Sequence, residues 1–313
     1  MRESLTSPFV GWMRGCLLLA GVLQADLMLF ATPHLNAGDP GFTVQRDLVF
    51  ANPQGDPLKL DLYMPSNVEV PPLVVFIHGG GWQGGDRSKC RVGWLAEEGF
   101  AVASISYRLT DRAIFPAQIH DCKAAVRWLR AQAGVLGFRS DRIGVAGTSA
   151  GGMLSALLAT SGDVPSLEGD VGGNLQQSSR VQAAVDYYGA TDFALRSRTQ
   201  PERADKPGSV VFKLLGGAAK EKTDLAKLAS AVTHVSQDDP PLLILHGQKD
   251  KTVLLDQSQR LFDAYASRGL SVSAVFEQEA GHGGDAFFTG MNRELVIAFF
   301  KRHLSIPATE SVR

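Results

Sequence analysis

The sequence predicts an α/β fold, a mostly parallel central sheet with helices on both faces and a small cap insertion, and three observations carry that prediction. Apolar stretches of strand length alternate with stretches of helical spacing from about residue 38 onward. Two of the apolar runs, residues 73–77 and 101–105, are continuous, as suits strands buried on both faces. A serine flanked by glycines, Gly147-Thr148-Ser149-Ala150-Gly151, stands where a strand gives way to a helix. Alternation of this kind specifies a parallel sheet sandwiched between helices.

The elements follow in order. Residues 42–50 and 58–64 read as an antiparallel opening pair, because Leu58, Leu60 and Leu62 alternate with Lys59, Asp61 and Tyr63 and residues 52–57 supply the turn. After the strand at 73–77, residues 86–99 have helical spacing with Gly99 as the stop. The strand at 101–105 leads to a helix over 116–133, with Pro116 near its start and Ile119, Cys122, Val126 and Leu129 on one face. Next come the strand 142–146 and the helix 152–158 that bracket Ser149. Residues 181–187, 242–245 and 272–276 complete the strands, and 254–267 and 286–304 are the last two helices. Residues 162–180, rich in Gly, Ser, Asp and Gln, read as a long loop. Residues 193–236, with a polar first half and a helical second half at 224–232, read as a cap over the carboxyl end of the sheet. No repeat or low-complexity tract interrupts this order.

Composition excludes several classes. With 31 Lys and Arg against 32 Asp and Glu and no long run of one sign, nothing provides an electrostatic grip on nucleic acid or an anionic membrane. The expected partner is a small, largely neutral molecule. Residues 1–37 read as an export signal or a disordered leader: Arg2 and Arg14 precede an apolar stretch from Cys16 to Leu23, which implies a secreted or periplasmic protein. Gln24 and Asp26 interrupt its continuation, so no stable membrane span is expected, and Cys16 stands at its start instead of following it, which argues against lipid attachment. Residues 38–313 then form one domain. Cys90 and Cys122 either pair in an oxidising compartment or stay free as small buried apolar groups. The seven histidines are scattered without zinc spacing, and no phosphate-binding glycine motif follows a strand, so neither a metal nor another cofactor is expected. Oligomeric state is not legible.

A serine on a sharp strand-to-helix turn is pushed out of the sheet, the geometry of a nucleophile elbow. A serine hydroxyl reacts at neutral pH only with a base in reach and an anion to orient that base. His282, in the glycine-rich stretch 279–284 after the final strand, is the best base; His120, His234, His246 and His303 read as packed or exposed polar residues. Asp250, at the carboxyl end of the penultimate strand, is the best anion. Asp256 falls within a predicted helix and Asp285 is too near His282 in sequence. Attack on an acyl carbon generates an oxyanion, which needs donors aimed at it. The N–H of Ala150 follows the serine, and Gly79 and Gly80 in His78-Gly79-Gly80-Gly81-Trp82 can supply others, with His78 and Trp82 holding that loop in shape. Phe193, Val211, Phe212, Phe287 and Phe288 either line a pocket or merely pack.

Together with residues 107–109, 115–117 and 121–129, these motifs resemble those of α/β-hydrolases, and more narrowly of bacterial carboxylesterases of the hormone-sensitive-lipase-like and feruloyl-esterase-like groups. The resemblance covers essentially the whole chain after the leader. It implies an α/β-hydrolase fold and hydrolysis of short acyl or aryl esters, acetyl or feruloyl groups on plant polysaccharide among them, through Ser149, Asp250 and His282 and an acyl-enzyme. Hormone-sensitive-lipase relatives carry an acidic residue where this chain has Thr148, and the chain has no long N-terminal cap; both differences favour the feruloyl-esterase-like branch. An amidase, such as an arylformamidase or a small peptidase, and a catalytically inactive binding module stand as alternatives.

Overall fold

In the computed structural model, which describes residues 41–304, the strands are β1 (Phe42–Ala51), β2 (Leu58–Pro65), β3 (Leu73–Ile77), β4 (Ala101–Ile105), β5 (Ile143–Thr148), β6 (Ala183–Tyr187), β7 (Leu242–Gly247) and β8 (Val272–Glu277). They form one sheet in the order β1-β2-β4-β3-β5-β6-β7-β8. The pairs β1/β2 and β2/β4 are antiparallel and the rest are parallel, as the alternation in the first two strands and the apolar runs in the next two predict. Leu73, Val75 and Ile77 pack into one core cluster while Val74 and Phe76 pack into the other. This two-sided burial is the physical reason for β3's unbroken hydrophobicity.

The helices are α1 (Ala117–Leu136), α2 (Ala150–Thr160), α3 (Phe193–Thr199), α4 (Pro201–Ala204), α5 (Val210–Leu215), α6 (Thr223–Leu228), α7 (Ala231–His234), α8 (Asp256–Ala266) and α9 (Gly290–Leu304). On α1 the predicted stripe of Ile119, Cys122, Val126 and Leu129 is fully buried, each aliphatic side chain contributing roughly 2 kcal/mol by leaving water. Gly137 in the left-handed conformation stops the helix. Among the described residues no helix is long and apolar enough to cross a membrane.

Three expectations need correction. Residues 86–99 form no α-helix; only a short 3-10 turn, Gly93–Ala96, appears. Asp86 turns the chain locally by accepting from the Ser88 N–H, and Arg87 is drawn off to Asp61 and Asp47 on the opening strands. The predicted helix at 286–304 is divided into a 3-10 turn, Asp285–Phe287, and α9, because Gly290 has φ of 55°, a value outside right-handed helix. The polar first half of 193–236 is helical as well. Asp192 caps α3 by accepting from the Leu195 N–H, Ser209 caps α5, and Pro201 opens α4. Of the two alternatives left open for Cys90 and Cys122, the structure has free thiols. They pack against different core clusters, on opposite faces of the sheet. The leader at 1–37 lies outside the described residues.

The carboxyl ends of β3, β5, β6 and β7 lie side by side, so the chain segments that leave them meet over one rim of the sheet. Open α/β sheets place ligands at this edge.

Candidate active site

Ser149 occupies the turn between β5 and α2 with φ 54° and ψ −113°, a conformation that a non-glycine residue adopts only when its surroundings enforce it. Two backbone hydrogen bonds do so: the Ser149 N–H donates to the Tyr187 carbonyl at 2.8 Å, and the Met153 N–H donates to the Ser149 carbonyl at 2.9 Å. The turn also demands bare backbone beside it. A Cβ on Gly147 would overlap the Gly151 carbonyl, and one on Gly151 would overlap the carbonyls of Ile77 and His78. Gly147→Ala is therefore expected to cost about 3 kcal/mol or more, read as a lowered urea midpoint at unchanged m.

At the start of a helix a serine hydroxyl ordinarily accepts from a first-turn amide. Ser149 does not. Its Oγ lies 2.7 Å from His282 Nε2, and His282 Nδ1 lies 2.6 Å from Asp250 Oδ2. Because a carboxylate only accepts, Nδ1 carries the proton, which leaves Nε2 as the acceptor of the serine O–H. Predicted serine, base and anion thus form one hydrogen-bonded chain, its links joining residues 133 and 32 positions apart. Asp256 begins α8, and Asp285 is exposed and paired with Arg91; neither is bonded to His282.

Asp250 is held on both oxygens. Oδ1 accepts from the N–H groups of Thr252, at 2.8 Å, and Val253, at 3.0 Å. Oδ2 faces His246 Nε2 at 3.2 Å as well as His282. Burial alone would raise this carboxyl, but the hydrogen bonds from His246 and His282 outweigh it and hold the group well below the ordinary carboxylate range. His246 was read from the sequence as a packed polar residue, and that understates it. Its Nδ1 lies 2.7 Å from Ser258 Oγ while Nε2 lies 2.9 Å from the Val253 carbonyl, so the ring is fixed as an Nε2–H donor. The four-residue spacing to Asp250 was the available signal.

Sequence reasoning also passed over Tyr188 and Asp186. Tyr188, at φ 47°, sets its ring edge-on to the His282 imidazole with centroids 5.0 Å apart. Asp186, fully buried behind the elbow, accepts from the Gly189 N–H at 2.8 Å, and burial pushes its pKa up to about 6.

The loop after β3 closes the other side. The Tyr107 O–H donates to the His78 carbonyl at 3.0 Å and the two rings stack at 4.4 Å, while Trp82 is buried edge-on to Phe193. These contacts anchor His78 and Trp82 within the loop. Gly79 fits so tightly against the elbow that a Cβ there would stand 2.8 Å from the Thr148 carbonyl and 3.4 Å from Ser149 Cβ. Gly80, Gly81 and Ala150 line the cavity in front of Ser149. Ala150 is the first residue of α2, where amide N–H groups have no helical acceptor.

That cavity has a volume of about 430 Å³, and α3, α4 and α5 of the cap contribute Arg196, Arg203 and Val210 to its wall. Of the five residues read from the sequence as either lining a pocket or packing, none lines this cavity; Phe193, Val211 and Phe287 are fully buried in the core, and Phe288 nearly so. No cluster of side chains suited to a metal ion occurs among the described residues.

A family model, BD-FAE, matches residues 60–265. The chain belongs to the BD-FAE family. This family member is 31% identical over 220 residues to Esterase LipC of Mycobacterium tuberculosis, an alignment covering 68% of this chain and 53% of LipC. It spans about half the length of the curated relatives it matches first. Among solved structures it is similar to a truncated carbohydrate esterase from gut microbiota, at 28% identity and a TM-score of 0.77 over 84% of this chain and 97% of the other. It is also similar to Thermogutta terrifontis esterase 2 phosphorylated by paraoxon, at 26% identity and a TM-score of 0.67 over 86% and 97%. The BD-FAE chain thus has the α/β-hydrolase fold, as the sequence motifs imply.

Proposed function

We propose that the protein is a serine carboxylesterase acting on short-chain acyl or aryl esters, acetyl and feruloyl esters among them. The observation that carries this reading is the Ser149–His282–Asp250 hydrogen-bond chain at the floor of a cavity. His282 Nε2 takes the hydroxyl proton as Ser149 Oγ attacks the ester carbon, and the imidazolium is stabilised by Asp250. The N–H groups of Ala150 and of Gly79 and Gly80 serve the oxyanion. His282 then returns its proton to the leaving alcohol, and water, deprotonated by the same nitrogen, releases the acid from the acyl-enzyme. The names of the relatives support ester cleavage: LipC is called an esterase, and one solved relative a carbohydrate esterase. A cavity of about 430 Å³ suits a small acyl or aryl group better than a long lipid chain.

Paraoxon tests the nucleophile directly. Incubation should attach one diethylphosphoryl group, located on Ser149 by peptide mass spectrometry, and abolish hydrolysis of p-nitrophenyl acetate. A panel from acetate to palmitate with methyl ferulate should show turnover falling beyond the short acyl chains. Phosphorylation at another residue, or none, would remove this mechanism; faster cleavage of N-formyl aryl amides than of the matched esters would transfer the same residues to an amidase.

A further inference from the structure

We propose that the cavity selects esters bearing a carboxylate, held by Arg196 and Arg203 while Ser149 attacks. The inference deepens the esterase reading and rests on it. Both arginines line the same cavity as Ser149 and His282. Arg196 is only 1% exposed, yet neither it nor Arg203 has a carboxylate within 4 Å among the described residues. One N–H of Arg196 donates to the Thr252 carbonyl at 2.8 Å, while its Nε has no acceptor at all.

A guanidinium is costly to bury without a counter-charge, and a buried donor without an acceptor adds to that cost. The acidic groups whose fields reach Arg196 are Asp250 and Asp256, with Arg203 opposing them. Asp250 already accepts from four donors, so it is not available to neutralise Arg196. Burial lowers the Arg196 pKa to about 10, which leaves it cationic at neutral pH. Anchoring the Thr252 carbonyl uses one donor of the five in a guanidinium. Arg196 lines the cavity that also contains the nucleophile, and its guanidinium, with donors beyond the one used on Thr252, is suited to a planar anion such as a carboxylate.

Charge on the cap points the same way. Residues 193–236 contain eight Lys and Arg but four Asp and Glu, in a chain whose net charge is −1. A locally positive mouth raises the encounter rate of an anionic ester. Either side of the scissile bond can carry the carboxylate, so the test has two arms.

On the acyl side, mono-(p-nitrophenyl) succinate is compared with p-nitrophenyl valerate; on the alcohol side, 4-acetoxybenzoate is compared with 4-acetoxybenzamide. The wild-type protein is expected to favour the anionic member of at least one pair by about tenfold or more in kcat/KM. Arg203→Gln should lower that ratio severalfold, Arg196 retaining the rest, and Arg203→Lys should restore part of the loss. Arg203 is exposed, so this variant stands even where Arg196→Gln fails to fold. Binding of the same four compounds to the Ser149→Ala protein, followed by calorimetry, gives a second readout that requires no turnover. Preference for the neutral member in both pairs, or anionic binding unchanged by Arg203→Gln, would overturn the proposal while neutral-ester hydrolysis and paraoxon labelling left the esterase reading intact. Loss of labelling would sink that reading instead.

Discussion

Ser149→Ala is expected to lower kcat for p-nitrophenyl acetate by about 10⁴-fold or more, with stability changed by no more than about 0.5 kcal/mol. The asymmetry follows from what the hydroxyl does in the folded protein. It caps no helix and bonds to His282 alone, so its removal deletes the nucleophile without orphaning a buried backbone group. The elbow is enforced by the backbone bonds to Tyr187 and Met153, which alanine retains. Both residues carry a Cβ, so the strain at φ 54° is unchanged. Rates measured against the same concentration of folded protein, with the urea midpoint alongside, check both halves. Activity near the wild-type level would show that Ser149 is not the attacking group.

Local patterns made most of this architecture legible. The unbroken run in β3 reflects burial on both faces, which a sequence encodes directly; β2 alternates although both its faces are covered, because Asp61 is buried with Arg46 and Arg87 as ion partners while Leu58, Leu60 and Leu62 sit in the core. Ser149, His282 and Asp250 were readable for a related reason: each follows a strand whose carboxyl end the topology brings to one rim. Segment 86–99 misled because its apolar residues Val92, Leu95 and Ala96 are buried at helical spacing while side chains, not backbone, hold the loop. Cap residues were harder still. Phe193 and Val211 could line the cavity or pack, and they turn into the core, leaving Arg196 and Arg203 at the cavity. Which side of a short helix faces a ligand depends on tertiary packing, and four to seven residues carry too little periodicity to reveal it.

Asp250→Asn is expected to reduce kcat by about 10⁴-fold and, unlike the serine variant, to destabilise the protein too. Every group around this carboxylate is a donor: the N–H of Thr252 and Val253 on one oxygen, the imidazoles of His282 and His246 on the other. An amide has one acceptor and one donor end, so either orientation sets an NH₂ against two donors. With the NH₂ toward the imidazoles, His282 must expose an unprotonated Nδ1 and carry its proton on Nε2, where it can no longer accept from Ser149. With the NH₂ toward the loop, two backbone donors lose their acceptor and the negative charge that stabilises the imidazolium is gone. The pH dependence carries a sign that separates this role from packing. The folded-state pKa of Asp250 is depressed, so its contribution to stability is fully present above the ordinary carboxylate pKa of about 3.9 and is lost as pH falls below it. The gap between the denaturant midpoints of wild type and Asp250→Asn should therefore be constant from pH 7 to about pH 5 and begin to narrow toward pH 3, closing only as pH falls through the depressed folded-state pKa. Parallel curves with a constant gap down to pH 3 and below would assign the carboxylate no electrostatic part in holding His282 and His246.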